Sequence, residues 1–190
     1  MLDKIIVKIR TLIDDVSKSG FEVFRYNTSD AKFFPLAEDN VTTVTSVLKN
    51  GTALTVTTEY TYDSASNQVQ VIVALAADDV IEVRYTYYKY SEAEIKNYIN
   101  NACIWISISS YRDFDFDIDN EDFYTTPSNE ETDLISIVAS ILIKPNYTKY
   151  NLPNKSVTYP DRLNKEDKIR QVINHFKSGL GIFGTIDRSV

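Results

Sequence analysis

The chain is poor in the residues that carry most protein chemistry. Its 190 residues include 1 Cys, 1 His, 5 Gly and 5 Pro. A single Cys forms no internal disulfide, so nothing points to an oxidising compartment. A single His excludes multi-His metal sites. Few glycines leave no Gly-rich loop followed by Lys and Ser or Thr to cradle a phosphate, and no Gly-x-Ser-x-Gly elbow. Long apolar runs are also missing. The longest uncharged apolar stretch, Leu134 to Ile143, falls short of the ~18–20 residues that a bilayer requires. Asp3 and Lys4 interrupt what would be the apolar run of a signal peptide, so neither targeting nor a membrane is expected. Positive charge is in deficit: 20 basic against 27 acidic side chains, net −7. That argues against unaided electrostatic binding to nucleic acid or anionic lipid. What is present suffices for a folded domain. The hydrophobic share is 43% and the aromatic share 12%, and a chain this long buries roughly 70% of its unfolded surface.

Periodicity predicts an α+β protein: a small helical bundle of about four helices with an inserted antiparallel β-sandwich or barrel. Leu2, Ile5, Ile6, Ile9, Leu12, Ile13 and Val16 recur at steps of three and four, an amphipathic helix of about four turns. Gly20 is placed to end it in a left-handed conformation. Residues 21–90 are rich in Val, Thr and Tyr. Strands are expected at Val41–Leu48, Ala53–Tyr62, Val69–Val73 and Val80–Tyr90, with Asn50-Gly51 as a tight turn. Helices resume at two capping boxes, Ser91–Glu94 and Ser128–Glu131, in which a Ser hydroxyl and a Glu carboxylate satisfy free amides. The third helix, Leu134 to Leu142, is apolar nearly all round, as the centre of a bundle would be. Residues 146–160 read as an extended loop. Ile169, Val172, Ile173 and Phe176 mark a fourth helix, and residues 179–190 a Gly-rich, flexible C-terminal arm. The first helix lacks a partner until the others arrive. The organisation is therefore a helical domain, 1–20 and 91–178, carrying an inserted β module, 21–90.

Single residues point to no reaction. Asp113, Asp115, Asp117 and Asp119 alternate with Phe114, Phe116 and Ile118, and Glu121 and Asp122 follow. A calcium loop needs Gly at its sixth place and Glu at its twelfth. Counting from Asp113 these are Ile118 and Tyr124, and from Asp115 they are Asn120 and Thr126, so both registers fail. A short strand with the aromatic side inward and the acids outward is the simpler expectation. Cys103 lies on a helix's apolar face and reads as a small core residue. His175 lies near the end of the fourth helix with no sequence-level partner. Tyr85, Tyr87, Tyr88 and Tyr90 either stiffen a sheet or present a glycan- or protein-binding surface. No catalytic residue, cofactor or metal is assigned, and an enzyme is not expected.

Charge is distributed unevenly. Residues 113–133 hold nine acids and no base, whereas from Lys144 onward nine bases face four acids. One subunit's acidic patch is thus able to meet the next one's basic face, a heterologous contact that closes into a ring when the rotation permits.

Three local patterns resemble the head–tail connector (neck adaptor) proteins of tailed bacteriophages. Arg10, Leu12, Ile13 and Asp15 are similar to the close of that family's first helix. Ser91-Glu-Ala-Glu94 followed by Tyr98-Ile99 and Ala102 is similar to its acidic capping box and second helix. A late helix followed by an arm completes the pattern. The β block resembles sandwich modules inserted in phage structural proteins, although its size and the 146–160 segment exceed those of simple connectors. The resemblance implies a virion structural protein of the neck, made in the bacterial host cytoplasm. It implies a ring of copies of itself, typically twelve-fold, between the portal and a downstream neck or tail protein, with DNA passing through unbound. It also implies portal docking by the arm, at Gly179, Leu180, Gly181, Ile182, Phe183, Gly184 and Ile186. The acids from Asp113 to Asp122 would then line the channel or a subunit interface. The competing expectation is a β-sandwich binding module of a phage fibre, baseplate or surface adhesin recognising a glycan or a protein.

Overall fold

The computed structural model describes residues 1–27, 32–109, 114, 116–152, 155–160 and 163–178. Among the described residues there are four helices and only antiparallel sheets, an α+β protein. The chain divides into two compact units, Val16–Tyr90 and Met1–Asp15 with the described part of Ser91–Val190. The expected arm at 179–190 and the residues Asp113 and Asp115 lie outside the described residues.

The helical unit consists of α1 (Leu2–Leu12), α2 (Glu92–Ile108), α3 (Asn129–Ile143) and α4 (Lys165–Lys177). α3 packs against each of the other three. From Glu131 to Ile141 every residue of α3 is buried. Its hydroxyls turn back on the helix: Ser136 Oγ donates to the Thr132 carbonyl at 2.6 Å and Ser140 Oγ to the Ser136 carbonyl at 2.7 Å. No side-chain polar group of this pair is thereby left dry. Both capping boxes form as expected, on Ser91 with Glu94 and on Ser128 with Glu131. Asn164 caps α4 through the Asp167 amide at 2.8 Å.

Two predicted features differ. α1 ends at Leu12, well before Gly20. Asp14 takes the left-handed conformation (φ 55°), and the Asp15 amide reaches the Arg10 carbonyl at 2.8 Å. That is the helix-terminating geometry usually given to Gly. Asp tolerates it, and the Arg10–Asp15 ion pair at 2.5 Å reinforces the turn. Residues 146–160 contain a hairpin, β10 (Lys149–Leu152) with β11 (Lys155–Thr158). Tyr150, Leu152, Val157 and Tyr159 are buried, a period-two pattern in a short, Pro-containing segment. Between α2 and α3 a further small hairpin joins β8 (Phe116–Asp117) to β9 (Asp122–Phe123).

The β unit has seven strands: β1 (Lys18–Arg25), β2 (Phe33–Pro35), β3 (Val41–Lys49), β4 (Thr52–Ala53), β5 (Tyr60–Asp63), β6 (Gln68–Val71) and β7 (Val80–Tyr87). One sheet runs β1-β7-β3-β4 and the other β2-β6-β5, and neither closes into a barrel. Val47, Ile81, Val83 and Tyr85 of the first share a core with Phe34, Tyr60, Val69 and Val71 of the second. Asn50 and Gly51 both have positive φ and make the expected tight hairpin. The predicted return strand Ala53–Tyr62 is broken, because the chain leaves the first sheet after Ala53 and joins the second at Tyr60. Thr57 at φ 71° lies in the link. Gly20 sits inside β1, paired with Tyr85. Any Cβ there would overlap the Tyr85 ring, which lies across the glycine and donates to Glu22 at 2.5 Å.

Asp79 holds two turns together. It accepts from the Ala76 amide (2.7 Å), Asn50 Nδ2 (2.7 Å) and Lys49 Nζ (3.0 Å). These donors, the amide first, lower its pKa from 3.8 to about 2.

Two outcomes are expected. Gly20→Ala destabilises the β unit by about 1–3 kcal/mol, measured by chemical denaturation, because a ring buried in a packed core must move. Asp79 favours the folded state when ionised, so its contribution is complete above about pH 4 and is lost as pH falls towards 2. Asp79→Asn therefore shows a lower midpoint at pH 7 and a shallower acid limb than wild type in pH-resolved thermal melts.

Candidate interaction surfaces

The acidic segment carries less free charge than its sequence indicates. Phe114, Phe116 and Phe123 are buried, with the Phe116 and Phe123 rings 4.8 Å apart, so the aromatic side does turn inward. Ile118 lies in the turn and is half-buried. Asp117 organises that turn, accepting from the amides of Asp119 and Asn120 (3.0 Å each), from Asn120 Nδ2 (2.7 Å) and from Tyr124 Oη (3.2 Å). Its pKa is lowered, chiefly by the Asn120 side chain. Glu121 pairs with Lys96 at 2.6 Å, and Lys96 also pairs with Glu92 at 2.8 Å, an arrangement that raises the lysine's pKa. Further along, Glu131 caps α3, and Asp133 accepts from Lys8 at 2.7 Å. Asp119, Asp122 and Glu130 remain as exposed acids.

The basic segment is drawn inward in the same way. Lys168 is buried and donates to the carbonyls of Pro145 (2.5 Å) and Tyr147 (2.9 Å); desolvation lowers its pKa. Lys144 donates to the Ile13 carbonyl and to Tyr147 Oη, and Lys177 to the Ser109 carbonyl. These lysines tie α3 and α4 to neighbouring chain ends.

Cys103 is fully buried, and burial pushes its thiol up to about 12, the opposite of nucleophile activation. His175 is half-buried on α4, with Nε2 unpartnered among the described residues, and Gln171 Oε1 one turn earlier is in the same condition. Among the described residues no group of three His, Cys, Asp or Glu could hold a metal ion, and no helix is long and apolar enough to cross a membrane.

The tyrosine row of the last strand does not form one surface. Tyr85 is in the core, and burial followed by Glu22 raises its pKa. Tyr87 is half-buried, while Tyr88 and Tyr90 lie beyond the end of β7. The outer face of the first sheet is made instead by Phe21 and Val23 of β1, both more than half exposed. The Arg84 guanidinium lies over the Phe21 ring at 5.5 Å. A shallow groove of about 430 Å³ runs beside them, lined by Ser19, Thr45 and Thr86. The sequence predicts no strand over the residues of β1, so its exposed apolar pair is not among the expected surfaces.

On the helical unit, α2 has a second apolar stripe besides its core face. Ile104 and Ile108 are 47% and 73% exposed. Beside them Tyr98, Asn101, Ile104, Trp105, Leu142 and Lys165 line a cleft of about 400 Å³. Ile104, Trp105 and Ile108 widen the apolar face of α2 in sequence, which predicts burial on most sides. The structure leaves its outer part uncovered.

Lys8 tests how far the charges are structural. Lys8→Met removes the ion pair to Asp133 (2.7 Å) and a bond to Thr132 Oγ1 (3.0 Å), so a loss of about 1–3 kcal/mol is expected. Exposed Lys4, changed likewise, should alter stability by less than about 0.5 kcal/mol. Paired urea titrations check both.

Comparison with models of known protein families finds no match, and comparison with curated proteins finds no significant one.

Proposed function

We propose that this chain is a non-enzymatic assembly subunit, a head–tail connector that forms a ring beneath a portal and extends the channel through which DNA passes. The observation that carries the reading is the exposed apolar face of α2, where Ile104 and Ile108 stand beside an open cleft. Uncovered apolar surface beside a cleft is characteristic of protein–protein contact. The three sequence patterns of the neck adaptors fall at the end of α1, at the start and middle of α2, and at α4, which are the helices around α3. Exposed Asp119, Asp122 and Glu130 would repel DNA phosphates wherever they faced a bore. The arm at 179–190 would dock on the portal.

A second reading, a glycan- or protein-binding module, is favoured by one feature: the Phe21, Val23 and Arg84 face with its hydroxyl-lined groove. Sedimentation of the purified chain with portal rings from the same genome separates the two. Co-sedimentation near one copy per portal subunit, lost on deletion of residues 179–190, is the expected result. No binding to portal, together with retention on a glycan array that Phe21→Ala abolishes, would reverse the ranking.

A further inference from the structure

The helical unit carries two complementary features on opposite flanks of α2. At 3.6 residues per turn, Lys96 and Ser107 share one flank, and Tyr98 and Trp105 share another roughly 180° around the helix. The first flank holds the β8–β9 hairpin, through Lys96 to Glu121 and through the Phe114 amide to Ser107 Oγ at 3.3 Å. The second opens into the cleft closed by Leu142 of α3 and Lys165 of α4.

The hairpin ends in Tyr124, which is 73% exposed while its hydroxyl is held by Asp117. Exposed Asp122 stands beside it, and exposed Asp119 lies in the turn of the same hairpin. An aromatic ring with a polar tip, oriented in advance on a hairpin that carries two exposed acids, resembles the anchor residue of an interface. The cleft has the matching chemistry. Tyr98, Trp105 and Leu142 supply apolar walls, Asn101 a hydrogen-bonding group, and Lys165 a cation that makes no ion pair with any described residue. Its volume of about 400 Å³ accommodates a tyrosyl side chain and leaves room for a neighbouring carboxylate.

We propose that the hairpin of one copy seats in this cleft on the next copy, with Tyr124 between Tyr98 and Trp105 and with Asp119 and Asp122 facing Lys165. This rests on the reading that the chain assembles with itself. A second copy is the occupant because both halves, opposite in charge, are on this chain, and the body of α2 keeps them from meeting within one molecule. Such a contact is heterologous, so it propagates from copy to copy and closes into a ring when the rotation per step permits.

Charge reversal tests the contact without unfolding the protein. Lys165→Glu places an acid in the first turn of α4, where the helix dipole favours it. The double variant Asp119→Lys with Asp122→Lys changes two exposed positions. Each variant alone should self-associate about tenfold more weakly than wild type or worse, measured by sedimentation velocity over a concentration series with circular dichroism confirming the fold. An equimolar mixture should recover assembly, because each reversed hairpin then meets a reversed cleft. Tyr124→Ala should weaken association with no recovery on mixing. Wild-type affinity in both reversed variants, or two weakened variants that fail to rescue each other, would rule the contact out. A wild-type chain that stays monomeric at every concentration also overturns it. Portal co-sedimentation, which does not depend on this contact in free solution, judges the connector reading separately.

Discussion

A helix with no solvent face imposes the plan of the helical unit. α3 is covered from Glu131 to Ile141, so each of its sides must find another element. Every fully buried Leu, Ile or Val side chain contributes roughly 1.5–3 kcal/mol, an amount available only when α1, α2 and α4 are all in place. The polar residues of α3 follow the same constraint. Ser136 and Ser140 bond to their own helix, and Thr132 and Asp133 are met by Lys8 from α1. Lys144 and Lys168 satisfy carbonyls at the chain segments around the end of α3. The ion pairs and lysine bonds therefore serve the packing of one helix before they serve any surface.

The same constraint explains how a β unit of 75 residues, Val16–Tyr90, can interrupt the helical one. α1 must reach α3 although the β unit separates them in sequence, so the insertion has to leave and return at one place. It does so by pairing its first and last strands. Lys18 of β1 lies opposite Tyr87 of β7, and the register continues to Arg25 opposite Val80. Entry and exit are then neighbouring strands of one sheet, and the insertion costs the helical unit little loop entropy. Gly20 and Tyr85 sit within this pairing, and Asp79 secures the turn that leads into β7. The β unit's own stability thus bears on whether its ends remain together.

Legibility in the sequence followed the range of the interactions. Helix starts were readable because a capping box is complete within four residues, as at Ser91 and Ser128. The Asn50-Gly51 turn was readable for the same reason. The end of α1 was not, since Asp14 adopts a conformation that its residue type merely tolerates, under a tie between Arg10 and Asp15. β1 was missed because Gly20 weakens its pattern, and only Tyr85, far along the chain, explains the glycine. The hairpin at 149–158 was hidden by Pro153 between two short alternating runs. Charge was the most misleading signal. A count along the chain cannot distinguish Asp133, held by Lys8, from Asp122, which faces water.

That difference matters for assembly. If the nine acids and nine bases of the two segments were all on the surface, the subunit would attract copies of itself in many registers. Using Glu121, Glu131, Asp133, Lys144 and Lys168 within the fold leaves fewer charges outside, and some of these stand near apolar features. Asp122 stands by Tyr124 with Asp119 in the turn of the same hairpin, and Lys165 stands at the mouth of the Tyr98–Trp105 cleft. Exposed charge pairs contribute little affinity by themselves but discriminate strongly between correct and incorrect registers. Burial of an aromatic anchor contributes affinity with little discrimination. In the proposed contact the two act together, the hairpin held to α2 by Lys96 and the cleft at the helix's other flank each having the other as its complement.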